Sequence, residues 1–383
     1  MNGEAPAGPL AGLRVVELSE GVAGPMAARL LGDAGADVVK VELPAGDRTR
    51  GWAPVVDGVG AAFGTLNRNK RSIVVDPRTP QSVTPLAEQA EILIIDAPLA
   101  DELSLDISGL METNSQLIVC VISGWGPEGP WADRPGADLP AQLASETTTA
   151  MGRLEDEPVR MGTDHAGMQT ALYAVQAITA ALIAGDGGGQ RIDISLFGSL
   201  MNMRSTMWVA LSNPDEWWGF HVDTYVKPPE YNYSCKDRRV YFSVGRAADK
   251  EAVVRDLKME FVLDDPRWPL FKQDSGGGIG RYQHLVHDMW DRGLSQWTYE
   301  QAQEIISRHG GWVFPCHDHD EFIADGQTQH MGIITEVTDD HGRVTQDLRP
   351  VWQLSKTPAS IRLAAPRLDQ HGQAIREEVE SIE

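Results

Sequence analysis

Four segments of this sequence combine residue types and spacings that could do chemistry. In GTDHAGMQ (162–169), Asp164 and His165 stand immediately before a helical pattern. A carboxylate beside an imidazole can serve as nucleophile, base or acid, and an aspartate at that point is equally a helix N-cap. NRNKRS (67–72) is the dense basic cluster of the first half, with Arg68, Lys70 and Arg71 just ahead of a strand. Three cations there could contact a phosphate or pyrophosphate, or close a salt-bridged surface turn. HDHD (317–320) clusters two histidines with two acids. Adjacent residues of an extended segment alternate faces, which suits metal ligation poorly, so a solvated loop is expected and no metal. GGG (187–189) and GGGIG (276–280) are not followed by Lys-Ser/Thr and are not P-loops. They read as turns, although the second could be a mobile lid. A G-x-S-x-G nucleophile elbow is absent, so serine hydrolysis finds no support.

The elements that must position these residues follow an α/β plan. Leu13–Leu18, Asp37–Val41, Ser72–Val75, Glu91–Ile95 and Leu117–Ser123 are short Val/Ile/Leu runs separated by helical spacings. Such runs predict a Rossmann-like, doubly wound parallel sheet covered on both faces. Gly24–Gly35 is the first helix, with Met26, Leu30 and Leu31 on one side. The turn ahead of it, SEGVAGPMA, lacks G-x-G-x-x-G, so this is not a dinucleotide site. That helix start could hold an anion or be a plain turn. Residues 126–166 read as surface loops around a helix at Leu139–Thr148. Met168–Ala184 is an alanine-rich helix, RIDIS a strand, and Leu196–Leu211 another helix.

Composition shifts near residue 212, where aromatics and prolines gather and Lys236–Arg239 reads as a turn between strand-like arms. The expected organisation is a large Rossmann-like domain beginning at 1–211, a smaller α+β domain at 212–330, and a segment at 331–383 returning to the large domain. Trp208, Trp217 and Trp218 could line an acceptor pocket or pack a core.

The 383 residues hold 33 Lys plus Arg against 55 Asp plus Glu, a formal charge of −22. That field excludes nucleic acid and anionic membrane as partners of the whole surface. The three cysteines, Cys120, Cys235 and Cys316, are far apart and suggest neither a zinc ribbon nor a disulfide framework. MNGEAPAGPL has neither a basic nor a long apolar region of a signal peptide. No stretch approaches the roughly 20 apolar residues of a membrane span, so a soluble cytoplasmic protein is expected.

As a set, several segments resemble the family III CoA-transferases, the group of formyl-CoA transferase, the carnitine and bile-acid CoA-transferases and α-methylacyl-CoA racemase. PLAGLRVVELSEGVAGPMAARLLGDAGADVVKVELPAGD is similar to the family's N-terminal signature, and LNRNKRSIVVD to its basic segment. GPWADRPGADLPAQLAS, RMG…ALYAVQAITAALIA and GGGQRIDISLFGSLMN are similar to its central block. LDDPRW and TPASIRLAAPRLDQHG are similar to its small-domain and C-terminal segments. The resemblance implies an interlocked dimer, with coenzyme A or an acyl-CoA as substrate. It implies CoA contacts at Val22, Ala23, Gly24, Asn69, Lys70, Arg71 and Gln142, and a nucleophilic aspartate that forms a mixed anhydride and then an aspartyl-CoA thioester.

Against the family's R-x-G-x-P-x-A-D-L-T-A-G-L-Y-A, this chain reads RMGTDHAGMQTALYA over 160–174. The flanks align without a gap, and the aspartate position is Gly167, which has no side chain to attack with. Asp164, three residues earlier, substitutes only if the loop shifts by about one helical turn. The Arg that often follows Val-Glu of the second strand is Leu43, and IIDAPLADELS (94–104) lacks the family's Asn-Phe and nearby Arg. The racemase histidine position is Ala137, which leaves racemase chemistry poorly supported. Three readings follow. The chain is the subunit without the nucleophile, beside a homologous subunit that carries the aspartate. Or it is a stand-alone acyl-CoA enzyme, itself an interlocked homodimer, using Asp164 and His165. Or it is a non-catalytic scaffold with the family fold.

Overall fold

The computed structural model describes residues 8–56, 58–76, 83–148, 157–185, 188–205, 232–244, 248–274 and 282–381. The glycine loop at 276–280 and Trp208, Trp217 and Trp218 lie outside the described residues.

Six parallel strands form the main sheet: β1 (Arg14–Leu18), β2 (Asp37–Glu42), β3 (Lys70–Val74), β4 (Ile92–Asp96), β5 (Ile118–Ser123) and β6 (Arg191–Ser195). Their spatial order is β3-β2-β1-β4-β5-β6, the doubly wound arrangement expected from the sequence. The inner strands are β-branched runs buried on both faces, such as ILIID in β4 and IVCVIS in β5. Cys120 is fully buried among them. β6 is the edge, and its RIDIS alternates between exposed and half-buried positions. β3 begins at Lys70 rather than Ser72, because Val38 of β2 already pairs with Lys70. The basic cluster therefore runs into the sheet instead of stopping before it.

Four helices matter for the site: α1 (Ala23–Asp33), α2 (Asp138–Ala144), α3 (His165–Ala184) and α4 (Leu196–Met203). α3 begins three residues earlier than its apolar pattern predicts. It is also long and apolar enough, by length and composition, to cross a membrane, which corrects the expectation that no stretch approaches such a span. In the structure Ala171, Ala174 and Ile178 of α3 are fully buried in one cluster with Ala27, Ala28 and Leu31 of α1. Ala166, at the start of α3, packs with Ala141 of α2 and Leu200 of α4.

The chain divides into two compact units, one of residues 1–145, 161–203 and 327–383, the other of 146–160 and 204–326. The second unit holds an antiparallel sheet of β7 (Tyr233–Ser234), β8 (Arg239–Ser243) and β9 (Trp312–Pro315). Its helices include α5 (Gln283–Leu294) and α6 (Tyr299–Arg308). Tyr233, Phe242, Phe271 and Trp290 form its aromatic centre. The HDHD segment is a helix start: Asp318 accepts the N–H of Glu321 at 2.9 Å, and Glu321 accepts the N–H of Asp318 at 3.2 Å. No cluster of three or more candidate metal ligands occurs among the described residues.

The C-terminal part of the first unit adds a hairpin, β10 (Ile334–Thr338) with β11 (Val344–Leu348), and a helix, α7 (Gly372–Glu380). Glu378 of α7 pairs with Arg14 at 2.9 Å and Arg71 at 2.7 Å, which fastens the chain's end to the sheet.

Candidate functional site

In a doubly wound sheet, ligands collect outside the carboxyl ends of the strands where the order reverses, here between β1 and β4. The loop leaving β1 at that point, Ser19 to Val22, is held by a different element at each residue. The Ser19 carbonyl accepts from Lys40 Nζ at 3.0 Å. The Glu20 N–H donates to Asp96 Oδ2, at the end of β4, at 2.9 Å. The Gly21 N–H donates to Asp47 Oδ1 at 3.4 Å. Val22 packs against the start of α3, where a Cβ built on Gly167 would lie 3.0 Å from Val22 Cβ and 3.2 Å from its Cγ1.

Beneath the loop lies a buried ionic cluster. Glu17 on β1 bridges Lys40 at 2.9 Å and Lys70 at 2.7 Å, and all three are fully buried. Lys40 also meets Asp47 at 2.9 Å. Lys70 spends its remaining donors on the Pro25 carbonyl and Asn67 Oδ1, both at 2.8 Å. Glu42 takes Arg50 in two bonds, at 2.8 and 2.7 Å, and the Ser72 hydroxyl at 2.7 Å. Burial opposes charge at each of these groups. Against it, Lys40 and Lys70 hold the Glu17 carboxyl below the usual range, and Glu17 and Asp47 hold Lys40 above its own.

The sequence-predicted site residues divide into two sets. Val22, Ala23 and Gly24 lie together at the α1 start, facing the Gly167 position. Val22, the N-cap residue, makes no side-chain cap bond, and the first turn of α1 carries no acid. Gly24 is closely packed, since a Cβ there would fall 2.1 Å from Ser19 Oγ. The second set is engaged inside the protein. Lys70 is enclosed as described, and Arg71 pairs with Asp37 and Glu378 at 2.6 and 2.7 Å. The Asn69 amide donates to Asp33 Oδ1 and the Ser360 carbonyl, and its Oδ1 accepts the N–H groups of Arg362 and Leu363. Arg68 is bound by Asp33 and Asp347. In NRNKRS the three cations Arg68, Lys70 and Arg71 are thus each ion-paired with carboxylates of the chain itself.

Gln142 is a clamp: its Oε1 accepts the Met161 N–H at 3.0 Å and its Nε2 donates to Asp138 Oδ2 at 2.5 Å. Asp138 Oδ1 accepts the N–H of Ala166 at 2.6 Å and lies 3.3 Å from that of Gly167. Asp138, not Asp164, thus caps α3. Asp164 occupies the N-cap position but makes no side-chain cap bond, and the His165 N–H donates to the Thr163 carbonyl at 2.8 Å. Asp138 carries no local signal for this capping role because the Ala166 N–H that it accepts is 28 positions away. The signal available was the i, i+4 pair Asp138 and Gln142 in GADLPAQL.

The Asp96 carboxyl is pushed up to about 7, by burial first and by Glu17, against the Glu20 N–H, Lys40 and Arg48. The folded protein therefore keeps this proton from the ordinary aspartate range of about 4 up to about 7. Stability from this group is full below that window and is lost as pH rises through it. Asp96→Asn should then raise unfolding free energy at pH 8 by about 4 kcal/mol and leave it nearly unchanged at pH 4. Urea denaturation at the two pH values checks this, and parallel profiles would contradict it.

The model of CoA-transferase family III matches residues 10–372. The succinate–glutarate CoA-transferase of Agrobacterium fabrum is 30% identical over 98% of this chain and 96% of its own length. The beta subunit of the succinyl-CoA–L-malate CoA-transferase of Chloroflexus aurantiacus is 27% identical over 99% of this chain and 96% of its own. Among solved structures, a CAIB/BAIF family protein from Brucella suis superimposes with a TM-score of 0.82, at 30% identity, over 98% of this chain and 100% of that one.

Proposed function

We propose, from the premise that this chain belongs to CoA-transferase family III, that it is the subunit without the nucleophile in a heteromeric CoA-transferase. The observation that carries the reading is the start of α3. Gly167 has no side chain, Val22 occupies the adjoining space, and the neighbouring carboxylate, Asp138, is committed to two N–H groups and Gln142. A homologous partner subunit then supplies the catalytic carboxylate, in an interlocked dimer or a larger assembly of such dimers. The apolar length of α3, with Leu172 and Ile183 exposed in the single chain, supports burial against a partner.

The reaction moves CoA between an acyl-CoA donor and a carboxylic acid. The partner's carboxylate attacks the acyl carbonyl and expels CoA thiolate, leaving a mixed anhydride. The thiolate attacks the carbonyl on the enzyme side, releases the donor acid and leaves an enzyme thioester. The acceptor carboxylate attacks that thioester, and the thiolate then takes the acceptor's acyl group and frees the enzyme carboxylate. This chain's part is to seat the ligand against Val22, Ala23 and Gly24 and to shape the acceptor pocket. The relatives named for succinate, glutarate and L-malate favour a dicarboxylic acceptor. A cytoplasmic location fits such a substrate pair.

The test is activity of the chain alone against activity with an Asp-bearing paralogue from the same cells. Mixing should raise turnover with succinyl-CoA and a dicarboxylic acid by at least about a thousandfold. Ordinary turnover by the chain alone, abolished by Asp164→Asn, would replace this reading with the stand-alone enzyme. Inactivity with every paralogue and no CoA binding would leave the scaffold.

A further inference from the structure

One cation of the switch-point crevice is uncommitted. Among the described residues, the Arg48 side chain takes part in no hydrogen bond and no ion pair, although its charge is felt by the carboxyls of Glu20 and Asp96. Its surroundings make this unusual. Lys40, Arg50, Arg68, Lys70 and Arg71, from the same two stretches of chain, are all paired with carboxylates. Arg48 is exposed, yet its guanidinium has a seat. It lies against Gly21, where a Cβ would fall 2.6 Å from Nη2 and 3.3 Å from Cζ. Gly21 has φ +79°, so a side chain is disfavoured there on backbone grounds as well.

The seat adjoins the reacting position. Arg48 rests on Gly21, and the next residue, Val22, touches the Gly167 position. Val22 also opens α1, an 11-residue helix without a capping side chain or an acid in its first turn. Arg48 and the Gly167 position thus border neighbouring residues of one loop. An oxyanion held by Arg48 at this loop gains a charge-assisted hydrogen bond. Asp96 retains its proton up to about pH 7, which leaves part of the Arg48 charge uncompensated.

We propose that Arg48 is the oxyanion-gripping residue of this site, holding a carboxylate or phosphate group of the substrate pair beside the start of α1. The proposal deepens the CoA-transferase reading and rests on it for the identity of the ligand. The two sources of the oxyanion are the distal carboxylate of a dicarboxylic acid and a phosphate of CoA.

Calorimetric titration of the native complex, parent and Arg48→Gln, separates them with four probes: CoA, pantetheine, succinate and butyrate. Arg48 lacks internal partners, so the substitution should leave the unfolding midpoint unchanged, and Arg48→Lys should retain part of the affinity. A loss of about tenfold or more for succinate but not butyrate assigns the grip to the distal carboxylate. The same loss for CoA but not pantetheine assigns it to phosphate. Equal affinities of parent and Arg48→Gln for all four probes, or no binding of any probe to the parent, would overturn the assignment. If the parent binds neither CoA nor pantetheine while succinate binding depends on Arg48, the CoA-transferase reading fails and the grip stands.

Discussion

Gly167→Asp, made together with Val22→Ala, should, on the proposed reading, give this chain the nucleophile's half of the reaction. With succinyl-CoA, the parent is expected to form no covalent intermediate, and the double variant to accumulate one that hydroxylamine traps at residue 167. Transfer to a dicarboxylic acid should rise by at least about a hundredfold over the parent chain. The second substitution matters because a Cβ at 167 meets Val22 Cβ at 3.0 Å and Cγ1 at 3.2 Å, both inside ordinary contact distance, and alanine removes the Cγ1. Gly167→Asp alone therefore overpacks the helix start, at a cost of about 1–3 kcal/mol. A carboxylate in the first turn of α3 returns a few tenths of a kcal/mol through the helix dipole (about 0.3–1). The double variant removes the Cγ1 contact, which eases the crowding around the remaining Cβ, and keeps that gain. Trapping at Asp164 in the parent would contradict the expectation directly.

Glu17→Gln should be among the most damaging substitutions in the large unit. Glu17 is the shared counter-charge of Lys40 and Lys70, all three fully buried. A neutral amide leaves Lys40 with only Asp47 in contact, and it leaves Lys70, already pushed down to about 7 by burial, without a carboxylate. Removing one member of such a cluster costs about 3–5 kcal/mol. Urea denaturation should show a lower midpoint with an unchanged slope. The double variant Glu17→Gln with Lys70→Met removes the buried amine that has lost its carboxylate and should recover a substantial part of the loss. A double variant as unstable as the sum of its two singles would show that Glu17 and Lys70 are not coupled.

The sheet was legible in the sequence because its strands announce themselves. LRVVEL, EILII and LIVCVIS are β-branched runs of strand length, and a strand buried on both faces needs no other signal. The start of α3 was less legible. Its apolar periodicity begins at Met168, but the helix begins at His165 because the Asp138 carboxylate, from another helix, satisfies its first N–H groups. The roles of NRNKRS were also undecidable locally. Arg71 finds Asp37 and Glu378, and Asn69 finds Asp33 and the backbone near residue 360, all distant in the chain. Cations alone cannot announce whether a distant carboxylate will claim them. Gly167 carried meaning only through the family's pattern around it. Arg48 carried none until the fold placed it on Gly21 and gave its neighbours, but not it, their partners.

The central claim is that the chemistry runs on a carboxylate this chain does not own. Intact-mass spectrometry of the native complex, after succinyl-CoA and a hydroxylamine quench, tests it most directly. The account predicts a mixed complex in which the modification falls on a homologous partner subunit, at an aspartate aligned with Gly167, while this chain keeps its unmodified mass. A complex containing only this chain, modified at Asp164 or any other of its own carboxylates, would contradict it.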